Sequence, residues 1–358
     1  MATAKAQAKQ TPAQPVPTNT RGWWIIGLMA ALTLPGMLLR LSGAHVAPLV
    51  EASVAGVALI GAAFVLAWAA EAAQTVIAGG LAIALLALIT VLPEYAVDVI
   101  FAWNAAHNPE QAHYAVANMT GANRLLIGLG WSGIVLLAAF LAWRRGAPRD
   151  QRNGVSLPAH SVVEVVLLLA ATAYSLVLPW RGSITLFDTF VLFAIFVFYL
   201  WFLSRAGERE EAENLVGPAR SIAALPPDRL RPVLVGLFVL AAAAIALVAE
   251  PFAEGLVQVG HQLKIDDFIL VQVVAPIASE APEFVVVALF AFVGRGETSL
   301  QALISSKVNQ WTLLVGSIPL VYSLSAGHIS SFALDPRQTE ELFLTAAQGL
   351  LAVILVLD

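Results

Sequence analysis

The chain has 358 residues, 59% of them hydrophobic and 12% charged, with a formal net charge of −5 and a mean hydropathy of +0.80. A soluble core cannot bury that much apolar surface, and continuous apolar runs of about 20 residues exclude a β-barrel, whose strands read as short alternating segments. Cysteine is absent, which excludes disulfides and thiolate metal sites, and no Lys/Arg-rich tract suited to nucleic-acid phosphates occurs.

Residues 1–21 are rich in Ala, Gln, Thr and Pro, carry Lys5, Lys9 and Arg21, and hold no Asp or Glu. They read as a disordered tail before an uncleaved helix at 22–41. Further apolar runs fall at 47–70, 74–104, 113–143, 161–180, 183–204, 232–252, 266–293, 300–325 and 340–357. The expected fold is an all-α polytopic membrane protein with about ten transmembrane helices. Runs 74–104 and 266–293 exceed the roughly 20 residues a crossing needs. Each has Pro followed by Glu near its middle, which predicts a broken or tilted helix.

Orientation follows from the basic loops. Arg144, Arg145, Arg149 and Arg152 follow the fourth run, and Arg205, Arg209, Arg220, Arg229 and Arg231 lie in 205–231. Lys and Arg favour the cytoplasmic side. One topology places both loops, the tail and Arg295 inside, and the 253–265 loop outside. Residues 205–231, which also carry Glu208, Glu210, Glu211, Glu213 and Asp228, read as a solvated cytoplasmic linker. It joins a first membrane half, 42–204, to a second, 232–358. Trp23, Trp24, Trp131, Trp143, Trp180 and Trp201 lie near run ends and suit an interfacial aromatic belt. His107, His113 and His261 fall near predicted external ends and read as exposed loop residues.

The chain repeats itself. Pro93-Glu94-Tyr-Ala-Val-Asp-Val-Ile-Phe-Ala-Trp103 matches Pro282-Glu283-Phe-Val-Val-Val-Ala-Leu-Phe-Ala-Phe292, with Pro, Glu, Val, Phe and Ala at the same positions. After each comes a short polar break and a second helix opening with small and amide residues. These are Ala117-Asn118-Met-Thr120-Gly121-Ala122-Asn123 and Ile304-Ser305-Ser306-Lys307-Val308-Asn309-Gln310. The topology count runs the first Pro-Glu helix outward and the second inward. Repeats 74–143 and 266–325 are therefore inverted, a transporter pattern with its site near the midplane.

A mid-membrane carboxylate is costly. Proline beside it frees backbone carbonyls, so two facing Pro-Glu segments predict an all-oxygen cage of the kind hard cations prefer. Thr90 and Ser279 precede the prolines by three residues, and either cap the break or face the ion. Asn118, Asn123, Ser305 and Gln310 are either ligands or interhelical glue.

These motifs resemble those of the calcium:cation antiporter superfamily, which includes the sodium/calcium exchangers. Its two inverted repeats carry Gly-Thr-Ser-Leu-Pro-Glu-like and Gly-Asn-x-x-Gly-Ser-Asn-like motifs, here Ile89–Glu94 with Ala117–Asn123, and Ala278–Glu283 with Ile304–Gln310. The resemblance implies Glu94 and Glu283 as central cation ligands, supported by Asn118, Asn123, Thr90, Ser279 and Ser305. It also implies a further span after 340–357, with 22–41 as an extra first helix. The departures are lost glycines, Gln310 in place of an Asn, a third carboxylate at Glu280, Lys307, and Asp98 one turn after Glu94. Lys307 has three readings: pairing with Glu280, pointing into the cage so as to disfavour Ca²⁺, or bridging helices or an interface. Asp98 and Arg124 are expected to bridge the two helices of the first repeat.

The expected function is secondary antiport of Ca²⁺ for Na⁺ or H⁺ by alternating access in a bacterial plasma (inner) membrane. Its partners are inorganic cations and lipid, with no cofactor. A monovalent cation/proton antiporter using Lys307 is the alternative. An intramembrane acid/base enzyme has no need of inverted repeats, and a channel more often builds acidic rings from oligomeric symmetry. The absence of a phosphate-binding loop argues against ATP-driven pumping.

Overall fold

The computed structural model describes residues 20–76, 91–148, 154–157, 161–206 and 215–357. Residues 1–19 of the expected tail, Thr90, and the linker acids Glu208, Glu210, Glu211 and Glu213 lie outside this set.

The helices, numbered in chain order, are α1 (Thr20–Ser42), α2 (Pro48–Ala73), α3 (Leu92–Ala105), α4 (Ala112–Leu125), α5 (Ser132–Arg144), α6 (Val162–Ser175), α7 (Val177–Arg181), α8 (Leu186–Ala206), α9 (Gly217–Ala223), α10 (Pro227–Leu263), α11 (Asp267–Phe292), α12 (Gly296–Asn309), α13 (Val315–Ala326) and α14 (Pro336–Leu357). Single π-helical segments join α4 to α5 (Leu126–Trp131) and α12 to α13 (Gln310–Leu314). Among the described residues eight helices are long and apolar enough to cross a membrane. The other two expected crossings run through α3, whose upstream part lies outside the described residues, and through α12–α13, whose Ser, Lys, Asn and Gln lower its hydropathy. Both carry candidate site residues.

The two halves interlock. α11 packs on α4, and α13 packs on α3, so the second repeat's Pro-Glu helix lies against the amide-bearing helix of the first, and the first repeat's against the continuation of its counterpart beyond the π-segment. α2 packs along α10 through small buried residues, among them Ala52, Ala55, Ala58 and Ala62. Between apolar helices in lipid, such residues gain dispersion contacts by close approach. A two-residue antiparallel pairing, Ser183↔Ala333 and Ile184↔Phe332, ties the α7–α8 link of the first half to the α13–α14 link of the second.

Four expectations change. α10 continues through Pro251 to Leu263, so 253–263 is helix rather than external loop, and His261 sits in its last turn. Interior proline is tolerated where neighbouring helices re-satisfy the freed carbonyl. α11 likewise passes unbroken through Pro276 and Pro282, so of the broken or tilted helix expected there the broken form is excluded. In the linker, α9 docks Pro218, Ala219, Ser221 and Ile222 against α1 and α2 instead of standing in solvent. Trp131, 6% exposed, lies inside the bundle rather than at an interface, whereas Trp24, Trp143, Trp180 and Trp201 are exposed.

Asp188 anchors the start of α8. Its fully buried carboxylate accepts from Tyr174 Oη (2.5 Å), Thr185 N (2.7 Å) and Thr185 Oγ1 (2.8 Å), and pairs with Arg181. Asp188→Ala strands these donors, and it is expected to lower stability by about 2 kcal/mol, read as a drop in thermal unfolding temperature in detergent.

Candidate functional site

Glu94 stands in the first turn of α3, directly after Pro93. Proline fits there because it lacks the N–H that a first turn leaves unused, and the helix N-terminus favours a carboxylate. Glu94 is only 4% exposed, and its Oε1 has no hydrogen-bond partner. From α11, one helical turn apart, come Glu280 and Glu283. Glu280 is 3% exposed; its Oε1 accepts from Gln310 Nε2 at 2.6 Å and its Oε2 has no partner. Glu283 is half-buried and accepts from Ser306 Oγ at 3.0 Å. The three carboxylates lie near enough to act on one another's charge.

Further acceptors surround them. Asn118 Nδ2 donates to Asp98 Oδ1 at 2.7 Å, leaving Asp98 Oδ2 and Asn118 Oδ1 without partners, and Asn309 Oδ1 and Gln310 Oε1 are in the same state. Buried polar atoms are normally satisfied. Here the unsatisfied side-chain atoms near the carboxylates are oxygens with lone pairs, which calls for a donor-like species, a cation or protons, rather than an anion. Among the described residues no three or more acidic or imidazole groups are arranged as a metal cluster.

A cavity of about 370 Å³ reaches these groups. Glu94, Ser279, Glu280, Glu283 and Asn309 line it, together with Glu71, Gln74, Glu164, Tyr199 and Leu203 from α2, α6 and α8. Leu203 lies two residues before Arg205, and Thr298 three after Arg295, so this mouth opens at the end of the bundle that bears the basic residues. The opposite face is laced shut. Tyr114 donates to Asp267, which also meets His261 Nε2 at 2.9 Å; Arg337 pairs with Asp266 at 2.9 Å; Arg124 pairs with Glu341. Gln272 Nε2 bridges Thr120 Oγ1 (3.1 Å) and Glu341 Oε2 (3.0 Å). His113 lies on α4 and stacks on Phe268 rather than standing in a loop.

If the basic end faces the cytoplasm, as the positive-inside pattern predicts, access is from the inside alone, and the cysteine-free chain makes that testable. In inside-out vesicles, Thr298→Cys and Ala302→Cys are expected to react with a membrane-impermeant thiol reagent. In right-side-out vesicles only a control on the external turn, Lys264→Cys, reacts.

The other sequence-derived candidates fall as follows. Ser279 lines the cavity, but its hydroxyl bonds back to Ala275 O and Pro276 O. Ser305 donates to Glu164 Oε2 at 2.8 Å, and it is Ser306 that meets Glu283. Asn123 turns its Nδ2 onto Met119 O and offers its Oδ1 to Lys307. Lys307 pairs with neither Glu280 nor an interface; it is fully buried and bridges the two repeats through Asn123. The expected Asp98–Arg124 bridge does not form, because Asp98 meets Asn118 while Arg124 reaches α14. Glu164 lies outside the motifs, and Ser306 and Asn309 lie inside the second one without being among the expected ligands. A lone acid inside the run 161–180 was the available signal for Glu164. Each amide-bearing helix also passes into a π-segment, which begins three residues after Asn123 in the first repeat and at Gln310 itself in the second, a feature common at functional sites.

The sodium/calcium exchanger protein family pattern matches residues 49–205 and 233–358. Among solved structures, the chain is similar to the H⁺/Ca²⁺ exchanger CAX, with 39% identity over 95% of this chain and 84% of that one, at a TM-score of 0.86. It shares its fold with the Ca²⁺/H⁺ antiporter YfkE at 15% identity, covering 94% and 92% of the two chains with a TM-score of 0.60. No curated protein sequence matches.

Proposed function

The chain belongs to the sodium/calcium exchanger protein family, and from that premise we propose that it is a secondary active antiporter that exchanges Ca²⁺ for H⁺ at Glu94, Glu280 and Glu283. The observation that carries this reading is the convergence on one cavity of buried, unpartnered carboxylate oxygens from opposite repeats. Asn118, Asn309 and Gln310 supply neutral oxygens beside them. Family members are transporters, which sets the chain apart from an intramembrane acid/base enzyme.

Exchange follows from competition. Ca²⁺ needs ionised carboxylates, and protons neutralise the same oxygens, so each ion displaces the other. In the inward-facing state the site loads or unloads through the cytoplasmic cavity. Closing that cavity and parting the Tyr114–Asp267 and Arg124–Glu341 contacts presents the oxygens to the outside. Occupancy lowers the cost of bringing the carboxylates together, so the ion itself licenses the transition. The resemblance to CAX supports H⁺ as counter-ion.

Full-length protein in proteoliposomes tests this. An imposed pH gradient is expected to drive ⁴⁵Ca²⁺ accumulation that collapses when a protonophore is added, while a Na⁺ gradient at constant pH drives little. Uptake driven by Na⁺ alone points to Na⁺/Ca²⁺ exchange. No Ca²⁺ flux under either gradient, with K⁺ or Na⁺ moving against protons, transfers the site to monovalent exchange.

A further inference from the structure

Lys307 is a long cationic side chain with no exposure at all, and its surroundings are unusual. Its Nζ donates to the main-chain carbonyl of Asn123 at 2.7 Å and to Asn123 Oδ1, and lies 5.3 Å from the centroid of the Trp311 ring. No carboxylate among the described residues forms an ion pair with it; Glu280 and Glu94 act on it from farther away. A buried ammonium is normally matched by a carboxylate. Here it is matched by two neutral carbonyl oxygens and a π face. Partly dehydrated alkali cations take the same kind of shell.

The shell is built for that charge. Asn123 Nδ2 is tied to Met119 O at 2.8 Å, which fixes the orientation of the amide and points Oδ1 at Lys307. Asn123 comes from the first repeat, and Lys307 and Trp311 from the second, so the pocket exists only where the halves meet. In the aligned motifs Thr120 stands where Lys307 stands, and its hydroxyl bonds to Val116 O in its own helix. The second copy alone carries a cation.

We propose that the Lys307 ammonium is a tethered cation that fills a monovalent-ion pocket formed by the Asn123 carbonyl oxygens and Trp311, and so denies that pocket to Na⁺. Lys307 is thereby a specificity-determining residue. Its fixed positive charge leaves Glu94, Glu280 and Glu283 to handle a single divalent ion, with no Na⁺ held alongside. Removing the ammonium vacates a carbonyl pocket beside a cluster of acids, and a free Na⁺ is the natural replacement. Which ion pair is exchanged rests on the Ca²⁺/H⁺ reading above; occupancy of the pocket does not.

The test separates the two. Thermal unfolding of full-length protein in detergent is followed in NaCl and in choline chloride at equal ionic strength, without Ca²⁺. The wild type is expected to unfold at the same temperature in both salts. Lys307→Ala and Lys307→Met gain a saturable stabilisation specific to Na⁺, and Lys307→Arg does not. In Ca²⁺ titrations of the same variants, Na⁺ weakens apparent Ca²⁺ affinity by about fivefold or more, the low end of coupling between bound ligands. The inference is overturned if the Ala and Met variants unfold alike in both salts. It is equally overturned if the wild type already shows Na⁺-specific stabilisation, a measurement that needs no variant to fold. If wild-type liposomes fail to move Ca²⁺ but the Na⁺ signal appears on removing Lys307, the exchange reading falls and this one stands.

Discussion

Glu94→Gln and Glu283→Gln are each expected to reduce pH-driven ⁴⁵Ca²⁺ uptake by about two orders of magnitude. Glutamine keeps the size and one oxygen but removes the charge. For a desolvated ion, loss of one charged partner costs roughly 3 kcal/mol or more, and each 1.4 kcal/mol is a factor of ten in affinity. The effect belongs to ligand binding and not to folding, because both residues sit on helices whose packing is made by apolar neighbours. Variant and wild type should therefore elute and unfold alike in the absence of Ca²⁺. Glu280→Gln tests the third carboxylate, whose Oε1 already holds Gln310. Glu164→Gln is the comparison within the same cavity: its carboxylate is held by Ser305 and Gln301, and a smaller loss is expected there. Unimpaired, ion-coupled uptake in both Glu94→Gln and Glu283→Gln would sink the proposed site.

Gly121→Ala is the second large effect. A Cβ at Gly121 would lie 1.9 Å from the backbone oxygen of Gln272 and 2.7 Å from its carbonyl carbon. α4 and α11 thus meet backbone to backbone, where a flexible side chain cannot swing aside. Gln272 is also held in place by Thr120 and Glu341. Ordinary overpacking costs about 1–3 kcal/mol, and an overlap with main chain on both sides is expected at or above the top of that range. The readout is the amount of folded protein extracted from membranes and its unfolding temperature. Gly133→Ala on α5, with nothing within 4 Å of the added methyl, is the control. It is expected to be neutral or mildly stabilising, since alanine loses less backbone freedom in a helix than glycine.

Much of the fold was legible because hydropathy adds up locally along a chain. The ten expected crossings correspond to helices or to described parts of them, and the matched Pro-Glu segments marked the inverted repeats. The boundaries that moved have a local reason too. Proline reads as a helix stop in water, but among packed helices its freed carbonyl finds other partners, so α10 and α11 run through Pro251, Pro276 and Pro282.

Side-chain partnership was another matter. Ser305 and Ser306 are neighbours on one helix, and about 100° of helical rotation decides which meets Glu164 and which meets Glu283. Lys307 finds Asn123 across 184 residues of sequence. Arg124 pairs with Glu341, 217 residues away in the chain, and not with Asp98. By itself the sequence determined that this chain spans a membrane, that it is built from two inverted repeats, and that acids stand at the turn following each shared proline. Only the tertiary structure decided which oxygens those acids share a cavity with, which end of the bundle that cavity opens to, and where the buried lysine's charge goes. The reason is physical. Crossing a bilayer depends on the summed transfer energy of a contiguous segment, whereas a hydrogen bond at mid-membrane depends on the rotation and register of helices that meet only after folding.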